Sequence, residues 1–376
     1  MQVEQPMPLT TAQQDPTGTE APSGSEIECE ELVVRRCQRT GLHAAVAIHS
    51  TTLGPAAGGC RRWVYADEDA GLADARRLAE GMSYKNALAG IPFGGGKSVI
   101  FATDKRPPTE AQLVTFAGWL NDLQGRYITA EDVGMGVAEM RIMAAHTPYV
   151  SGSGLHGVGG DPSPKTAYGV FLGLKSAVQS HLGREHLYGV KVAVQGLGAV
   201  GLSLCHWLAR AGAELVVADL DATRVGHVVK KYGAQAVDVA AITSVAADVF
   251  APCAMGGVVD QAFAESTQVR VVAGAANNQL SSDAVADILQ ARGVLYAPDF
   301  VLNAGGVISV AHEYMLKRQQ FDAEHNSELW VSERIEGIRE RLLHVIRQAQ
   351  QSGESTQKVA KDMALARLAE ESRVAA

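Results

Sequence analysis

The spacing of apolar residues changes character several times along the chain. Leu42 to His49 (LHAAVAIH) is a short apolar run of strand length and predicts a β-strand. Between Asp69 and Leu88 the spacing becomes helical: Leu72, Ala75, Leu78, Ala79 and Met82 share one face. Pro107, Pro108 and a capping Thr109 open a second helix that runs to Leu123. Residues 151–165 (SGSGLHGVGGDPSPK) are a Gly/Ser/Pro cluster, expected to be a hinge or domain boundary.

Beyond it, a helix over Tyr168 to His181 precedes five short β-like runs. These are Lys191–Gln195, Glu214–Asp219, Ala247–Ala251, Val269–Ala273 and Gly293–Tyr296, several of them separated by helical stretches. Alternating β and α units with buried, β-branched strands predict an α/β fold with a doubly wound parallel sheet. After residue 306 the pattern is helical again. Ile335, Ile338, Leu342, Val345 and Ala349 form an apolar stripe, and a last helix is expected near Thr356 to Glu371. Such a stripe most often packs on its own core, although it could meet a second copy.

Composition narrows the class. The 376 residues suffice for two domains with sizeable cores, and 47% apolar with 20% charged residues is a globular profile. A formal charge of −8, with no basic stretch, argues against a nucleic-acid partner. No apolar run approaches the roughly 18 residues of a membrane span, so no membrane partner is expected. Residues 1–26 are rich in Pro, Thr, Gln, Ser and Gly and have little to bury, so disorder is expected there. They show no secretory signal and lack the arginines of a transit peptide. The five cysteines (Cys29, Cys37, Cys60, Cys205, Cys253) have no metal-type spacing. They read as free thiols of a cytoplasmic protein without a bound metal.

Two features carry chemistry. Gly196-Leu197-Gly198-Ala199-Val200-Gly201 follows an expected strand and opens an expected helix, with Asp219 at the end of the next strand. Gly196 suits a tight turn, Gly198 a close approach of pyrophosphate, and Gly201 close helix–strand packing. An acid at Asp219 accepts from a ribose 2′-hydroxyl and repels a 2′-phosphate, which favours NAD over NADP. The second feature is Lys85 and Lys97 on either side of Gly94-Gly95-Gly96, with Asp132 further on. Two amines and a carboxylate can hold an α-carboxylate and move protons at the α-centre. The glycines would permit a bend beside Lys97. The plainer alternatives are two surface lysines and an Asp132 that caps a helix over Val137–Met143.

The chain resembles the glutamate/leucine/phenylalanine/valine dehydrogenase family, apolar-substrate branch. The resemblance rests on Leu53–Gly59, Gly81–Asn86, Gly94–Lys97, Ala130–Gly134, Asp161–Ala167, Gly196–Gly201, Ala251–Ala254, Ala273–Asn278 and Tyr296–Gly306, in the family's order. It implies a substrate and oligomerisation domain over 27–150, the hinge at 151–165, and a Rossmann-type NAD domain over 166–310. Helices over 311–376 would pack back toward the substrate domain, with the site in the cleft. It implies that Lys85 holds the substrate carboxylate, Lys97 is the acid/base and Asp132 assists. Gly58, Gly59 and Asn278 would help bind and orient the substrate. Thr166, the glycine loop, Asp219, Cys253, Ala254, Ala275, Ala276, Asn277 and Asn303 would line the cofactor groove.

The side-chain pocket is a separate question. The glutamate branch places a lysine and a serine where this chain has Ala57 and Val310. A carboxylate without a partner in an apolar pocket costs several kcal/mol. Ala57, Met82, Val307 and Val310 therefore suggest an apolar substrate. The expected reaction is reversible, NAD-dependent oxidative deamination of an apolar L-amino acid to its 2-oxo acid and ammonia, in a homo-oligomer. Alternatives are a dehydrogenase specialised for an aromatic or unusual amino acid in secondary metabolism, and an inactive NAD-binding regulatory homologue. Leucine-type members usually have Leu at position 57, so the resemblance implies that Ala57 widens the pocket toward phenylalanine or tryptophan.

Overall fold

In the computed structural model the described residues are 28–154, 161–319 and 327–375. The expected disordered tail, and residues 155–160 of the expected hinge, lie outside them. The first sheet contains β1 (Glu31–Cys37), β2 (Leu42–Ser50), β3 (Ala56–Trp63), β4 (Gly94–Phe101) and β5 (Tyr127–Ala130). Helix α1 (Glu68–Ala89) connects β3 to β4, α2 (Glu110–Asp122) connects β4 to β5, and α3 (Val137–Ala144) follows. Strand order is β1-β2-β4-β3-β5; β1, β2 and β4 pair antiparallel, while β3 pairs parallel with β4 and β5. Thr109 caps α2 as expected, in a reciprocal capping box with Gln112.

The second sheet follows α4 (Ser163–Leu182). Its units are β6 (Lys191–Gln195), α5 (Ala199–Arg210), β7 (Glu214–Ala218), α6 (Ala222–Tyr232), β8 (Gln235–Ala236), β9 (Val249–Pro252), α7 (Gln261–Ser266), β10 (Val271–Val272), α8 (Ala284–Ala291) and β11 (Leu295–Tyr296). The order β11-β10-β9-β6-β7-β8 is parallel throughout, so the doubly wound sheet is found as expected. Successive strands run outward in opposite directions from β6, and the crevice at such a switch point is where ligands bind. The short helix α9 (Asp299–Leu302), α10 (Gly305–Lys317), α11 (Ser327–Ser352) and α12 (Thr356–Ala375) complete the chain.

Three expectations need correction. Helix α4 begins at Ser163 rather than Tyr168. Pro164 sits in its first turn, where no backbone N–H is needed, so a residue that reads as a breaker is a helix start. Gly94–Gly96 form no bend; they are the start of the central strand β4. A Cβ at Gly95 would meet the Ser83 nitrogen at 2.2 Å, and one at Gly96 would meet the Tyr127 ring at 2.8 Å. Gly95 thus lets α1 lie directly on the strand, and Gly96 leaves room for Tyr127. Asp132 caps no helix, since α3 starts after Gly136.

The C-terminal stripe is covered by the chain itself. Ile335 and Ile338 pack with Ile308 and Tyr314 of α10, while Leu342, Val345 and Ala349 join the core with α4 and α12. No helix of the described residues is long and apolar enough to cross a membrane. Among the described residues, no cluster of His, Cys, Asp or Glu could hold a metal ion.

Candidate active site

Side chains alternate along β4, so Gly95, Lys97 and Val99 share the face covered by α1. Because α1 can sit close at Gly95, its last turns bring Met82 and Lys85 over that face. Both lysines are buried, Lys85 at 8% exposure and Lys97 at 4%, which removes the surface-lysine alternative. Lys97 Nζ lies 2.7 Å from Asp132 Oδ2. Lys85 Nζ donates to Asn277 Oδ1 at 3.0 Å, and Asn303 Nδ2 donates to the same oxygen at 3.0 Å. Asn277 and Asn303 come from the second domain, so this bond crosses the cleft.

Burial pushes the Lys85 ammonium down to about 8; nearby Asp299 opposes the shift and Lys97 adds to it. Burial alone would raise the Asp132 carboxyl, but Lys97 and Arg61 outweigh it and hold the group well below the usual carboxylate range. Glu131, next in the chain, is pushed up to about 7 by burial and by Asp161, Glu313 and Glu139. Cys253 is half-buried, and desolvation pushes its thiol up to about 12, so it stays neutral.

On the opposite wall, Gly196 has φ +93° and turns the chain at the end of β6. A Cβ at Gly201 would meet the Gly196 carbonyl oxygen at 2.0 Å, which is the close packing expected there. A Cβ at Gly198 would meet nothing within 4 Å, so its backbone faces open space. Asp219 follows β7; its Oδ2 accepts from the Leu197 N–H at 2.5 Å and its Oδ1 from the Asp221 N–H at 2.8 Å.

Between the walls lies a cleft of about 770 Å³. It is lined by Ala57, Gly58, Gly59, Met82, Lys85, Lys97, Asp132, Thr166, Gly198, Ala199, Val200, Cys253, Ala275, Asn277, Asn303, Val307 and Val310, all singled out from the sequence. Gly196, Leu197 and Gly201 shape the loop behind that lining, and Leu197 and Ala276 are buried. Ala254 and Asn278 line an adjoining cavity of about 310 Å³. Asn277, rather than Asn278, is the residue bonded to Lys85. Asn278 has φ +51°, its N–H is held by Asp299 at 2.7 Å, and its Nδ2 is buried without a partner.

Sequence reasoning missed several lining residues: Phe93, Ile128, Glu131, Arg224, Ala311 and Tyr314. It also gave no role to Arg61 or Asp299. Strand alternation puts Arg61 on the same face of β3 as Gly59, a relation that shows only once β3 is known to be a strand. Ile128 and Tyr314 carried no local signal, since only the packing of β5 against α10 brings them together.

A glycine-loop βα unit facing a lysine-lined cleft defines a two-domain amino-acid oxidoreductase. Residues 26–149 match the Glu/Leu/Phe/Val dehydrogenase dimerisation domain, and residues 217–375 match Glutamate/Leucine/Phenylalanine/Valine dehydrogenase. Leucine dehydrogenase of Geobacillus stearothermophilus is 47% identical over 285 residues, 76% of this chain and 78% of that protein. Valine dehydrogenase of Streptomyces virginiae is 43% identical over 288 residues, 76% and 80% of the two chains. The crystal structure of L-tryptophan dehydrogenase from Nostoc punctiforme aligns with a TM-score of 0.75 at 37% identity, over 93% of this chain and 98% of that one. The chain belongs to the Glu/Leu/Phe/Val dehydrogenase family, in its apolar-amino-acid branch.

Proposed function

We propose that this chain catalyses reversible, NAD-dependent oxidative deamination of an apolar L-amino acid to its 2-oxo acid and ammonia. The observation that carries the reading is the buried Lys97–Asp132 pair at 2.7 Å, beside a second buried lysine and open to an apolar pocket. Lys85 binds the substrate carboxylate, a charge-assisted contact that also offsets the cost of its own burial. Gly58 and Gly59 line the cleft beside the substrate backbone, and Asn278, at the edge of the adjoining cavity, offers its unpaired amide to orient it. The substrate amine gives up its proton to solvent before the hydride leaves. Neutral Lys97 Nζ takes the proton released by the water that adds to the imine carbon and returns it to the nitrogen, which departs as ammonia when the hydroxyl loses its proton and the carbonyl forms. Asp132 Oδ2 steadies the ammonium between the two transfers. Burial of Lys85 and Lys97 shields them from bulk water, which strengthens each electrostatic contact.

The residues present fit NAD. The first turn of α5 follows Gly198, whose backbone faces open space, and offers unfilled N–H groups to a pyrophosphate. Asp219 keeps lone pairs for a ribose diol. Asn303 Oδ1 is buried without a partner and can accept from a carboxamide. Thr166, Cys253, Ala254, Ala275, Ala276 and Asn277 complete the groove. Bound NAD supplies the acceptor for the hydride that leaves the α-carbon.

Ala57, Phe93, Ile128, Val307, Val310 and Tyr314 form the side-chain end and favour an apolar substrate. Leucine- and valine-specific relatives support an aliphatic one. A second reading, an aromatic amino acid, is favoured by the small Ala57 and by the tryptophan dehydrogenase likeness. The match to a dimerisation domain over residues 26–149 supports a homo-oligomer, which light scattering would read directly. The deciding experiment supplies leucine, valine, phenylalanine and tryptophan with NAD or NADP at alkaline pH and follows reduced cofactor. Turnover with NAD on one of the four is expected; silence on all of them overturns the reading.

A further inference from the structure

The geometry points to Arg61 as a positioning residue that clamps Asp132 against Lys97, with Asp74 and Tyr65 holding the clamp from behind. The inference rests on the proposed roles of Lys97 and Asp132. Arg61 lies on β3 and is 9% exposed. Its Nε donates to Asp132 Oδ2 at 2.9 Å, the oxygen that also meets Lys97. Its Nη1 donates to Asp74 Oδ2 at 2.9 Å, and the Tyr65 hydroxyl donates to that same oxygen at 2.8 Å. Lys97, Asp132, Arg61 and Asp74 thus alternate in charge across the domain, from β4 through the β5–α3 loop and β3 to α1.

The planar guanidinium suits this task because its fork reaches two carboxylates at fixed angles. Asp132 is otherwise tethered by its backbone alone, through paired bonds with Met135 at 3.1 and 2.9 Å. Without Arg61 its side chain would have one cation to satisfy it in a buried place, and removing one partner of a buried pair leaves an uncompensated charge. The other groups facing the cluster are Cys60, pushed up to about 12 by burial, Tyr65, raised by burial and Asp74, Arg77 at the outer edge of Asp74, and Lys85 further along α1.

The test compares Arg61→Gln, Arg61→Lys, Asp74→Asn and Lys97→Ala, with NADH binding as a check on folding. Arg61→Gln is expected to lower kcat about 10²-fold with little change in KM, because Asp132 is misplaced rather than the substrate. Losing a buried positive charge also makes protonation of its neighbours easier. The acid limb of the pH–rate profile should therefore move up by about one pH unit. Arg61→Lys restores the charge and the position of the limb. It leaves kcat low, since a point charge cannot bridge both carboxylates. Asp74→Asn loosens Arg61 but keeps its charge, so kcat falls while the limb does not rise; this arm decides if Arg61→Gln fails to bind NADH. Wild-type kcat and pH profile in the Arg61 and Asp74 variants, with Lys97→Ala inactive, would overturn the clamp alone. Full turnover by Lys97→Ala would overturn the catalytic reading and the clamp with it.

Discussion

The two ends of the cleft are built by opposite means. At one end Lys85, Lys97, Asp132 and Arg61 are buried charges, each held by a partner at 2.7–3.0 Å. At the other, Ala57, Phe93, Ile128, Ala311 and Tyr314 belong to one apolar cluster, with Val307 packed against it. A buried ion needs a partner at a fixed place, so the charged end tolerates little change. An apolar wall is governed by volume, and volume-conserving swaps cost little. On the proposed reading, reaction and substrate range are separable in this molecule: the charged end would set what is done at the α-carbon and the apolar end whose side chain fits.

The largest effect that would break this division comes from the charged end. Lys97→Ala is expected to lower kcat by about 10²–10⁴-fold, the usual contribution of a positioned acid or base, with NADH binding retained. Steady-state kinetics alongside a fluorescence titration of NADH would check it. Comparable kcat losses from changes at the apolar end would show that the two ends do not act separately.

Next comes Lys85. Lys85→Gln removes a charge-assisted contact of about 1.5–3 kcal/mol and should raise KM for the amino acid roughly 10- to 100-fold. The wild-type protein carries its own version of this test. The Lys85 group is pushed down to about 8, so the free protein holds the ammonium below that pH and loses it above. Substrate affinity is therefore expected to fall as pH rises through about 8. Affinity that stays flat from pH 7 to 10 would argue against Lys85 as the carboxylate anchor.

At the apolar end, Ala57→Leu adds carbon to the wall without adding charge. It should lower kcat/KM for tryptophan relative to valine by tenfold or more, given about 1–3 kcal/mol per methylene of fit. The valine kcat should hardly move. A uniform loss on every substrate would indicate strain in β3 rather than a smaller pocket.

The smallest expected effect concerns Glu131, which lines the cleft. Its carboxyl is pushed up to about 7, so folding favours the protonated form. That contribution is complete below the unfolded value and is lost as pH rises through about 7. Glu131→Gln should therefore be more stable than wild type above pH 7, by about 1 kcal/mol after solvent screening of a half-exposed group. Thermal melts at pH 5 and pH 8 would show it as a gain at the higher pH only.

Much of this was legible before folding, and the misses have physical causes. The parallel sheet and the glycine loop were readable because their signals are local: β-branched runs, then Gly196 to Gly201, then Asp219. Strand β3 was not readable. Its sequence, AAGGCRRW, has weak strand propensity, and it pairs because β4 and β5 flank it. The glycines before Lys97 were read as a bend because Gly allows one. They are a strand because α1 at Gly95, Ser50 at Gly94 and Tyr127 at Gly96 occupy the space where side chains would be.

The sequence by itself pointed to the reaction class, through a family resemblance carried by segments that include Lys85, Lys97, Asp132 and the glycine loop, residue types that suit that chemistry. It also excluded an acidic side-chain pocket at Ala57 and Val310. Only the tertiary structure decided who partners whom. Asn277 rather than Asn278 meets Lys85, and Arg61 meets Asp132. Phe93, Ile128 and Tyr314 close the apolar end. Those contacts join residues far apart in the chain, and a side chain's partners there depend on how α1, β3, β5 and α10 are stacked, which no local pattern records.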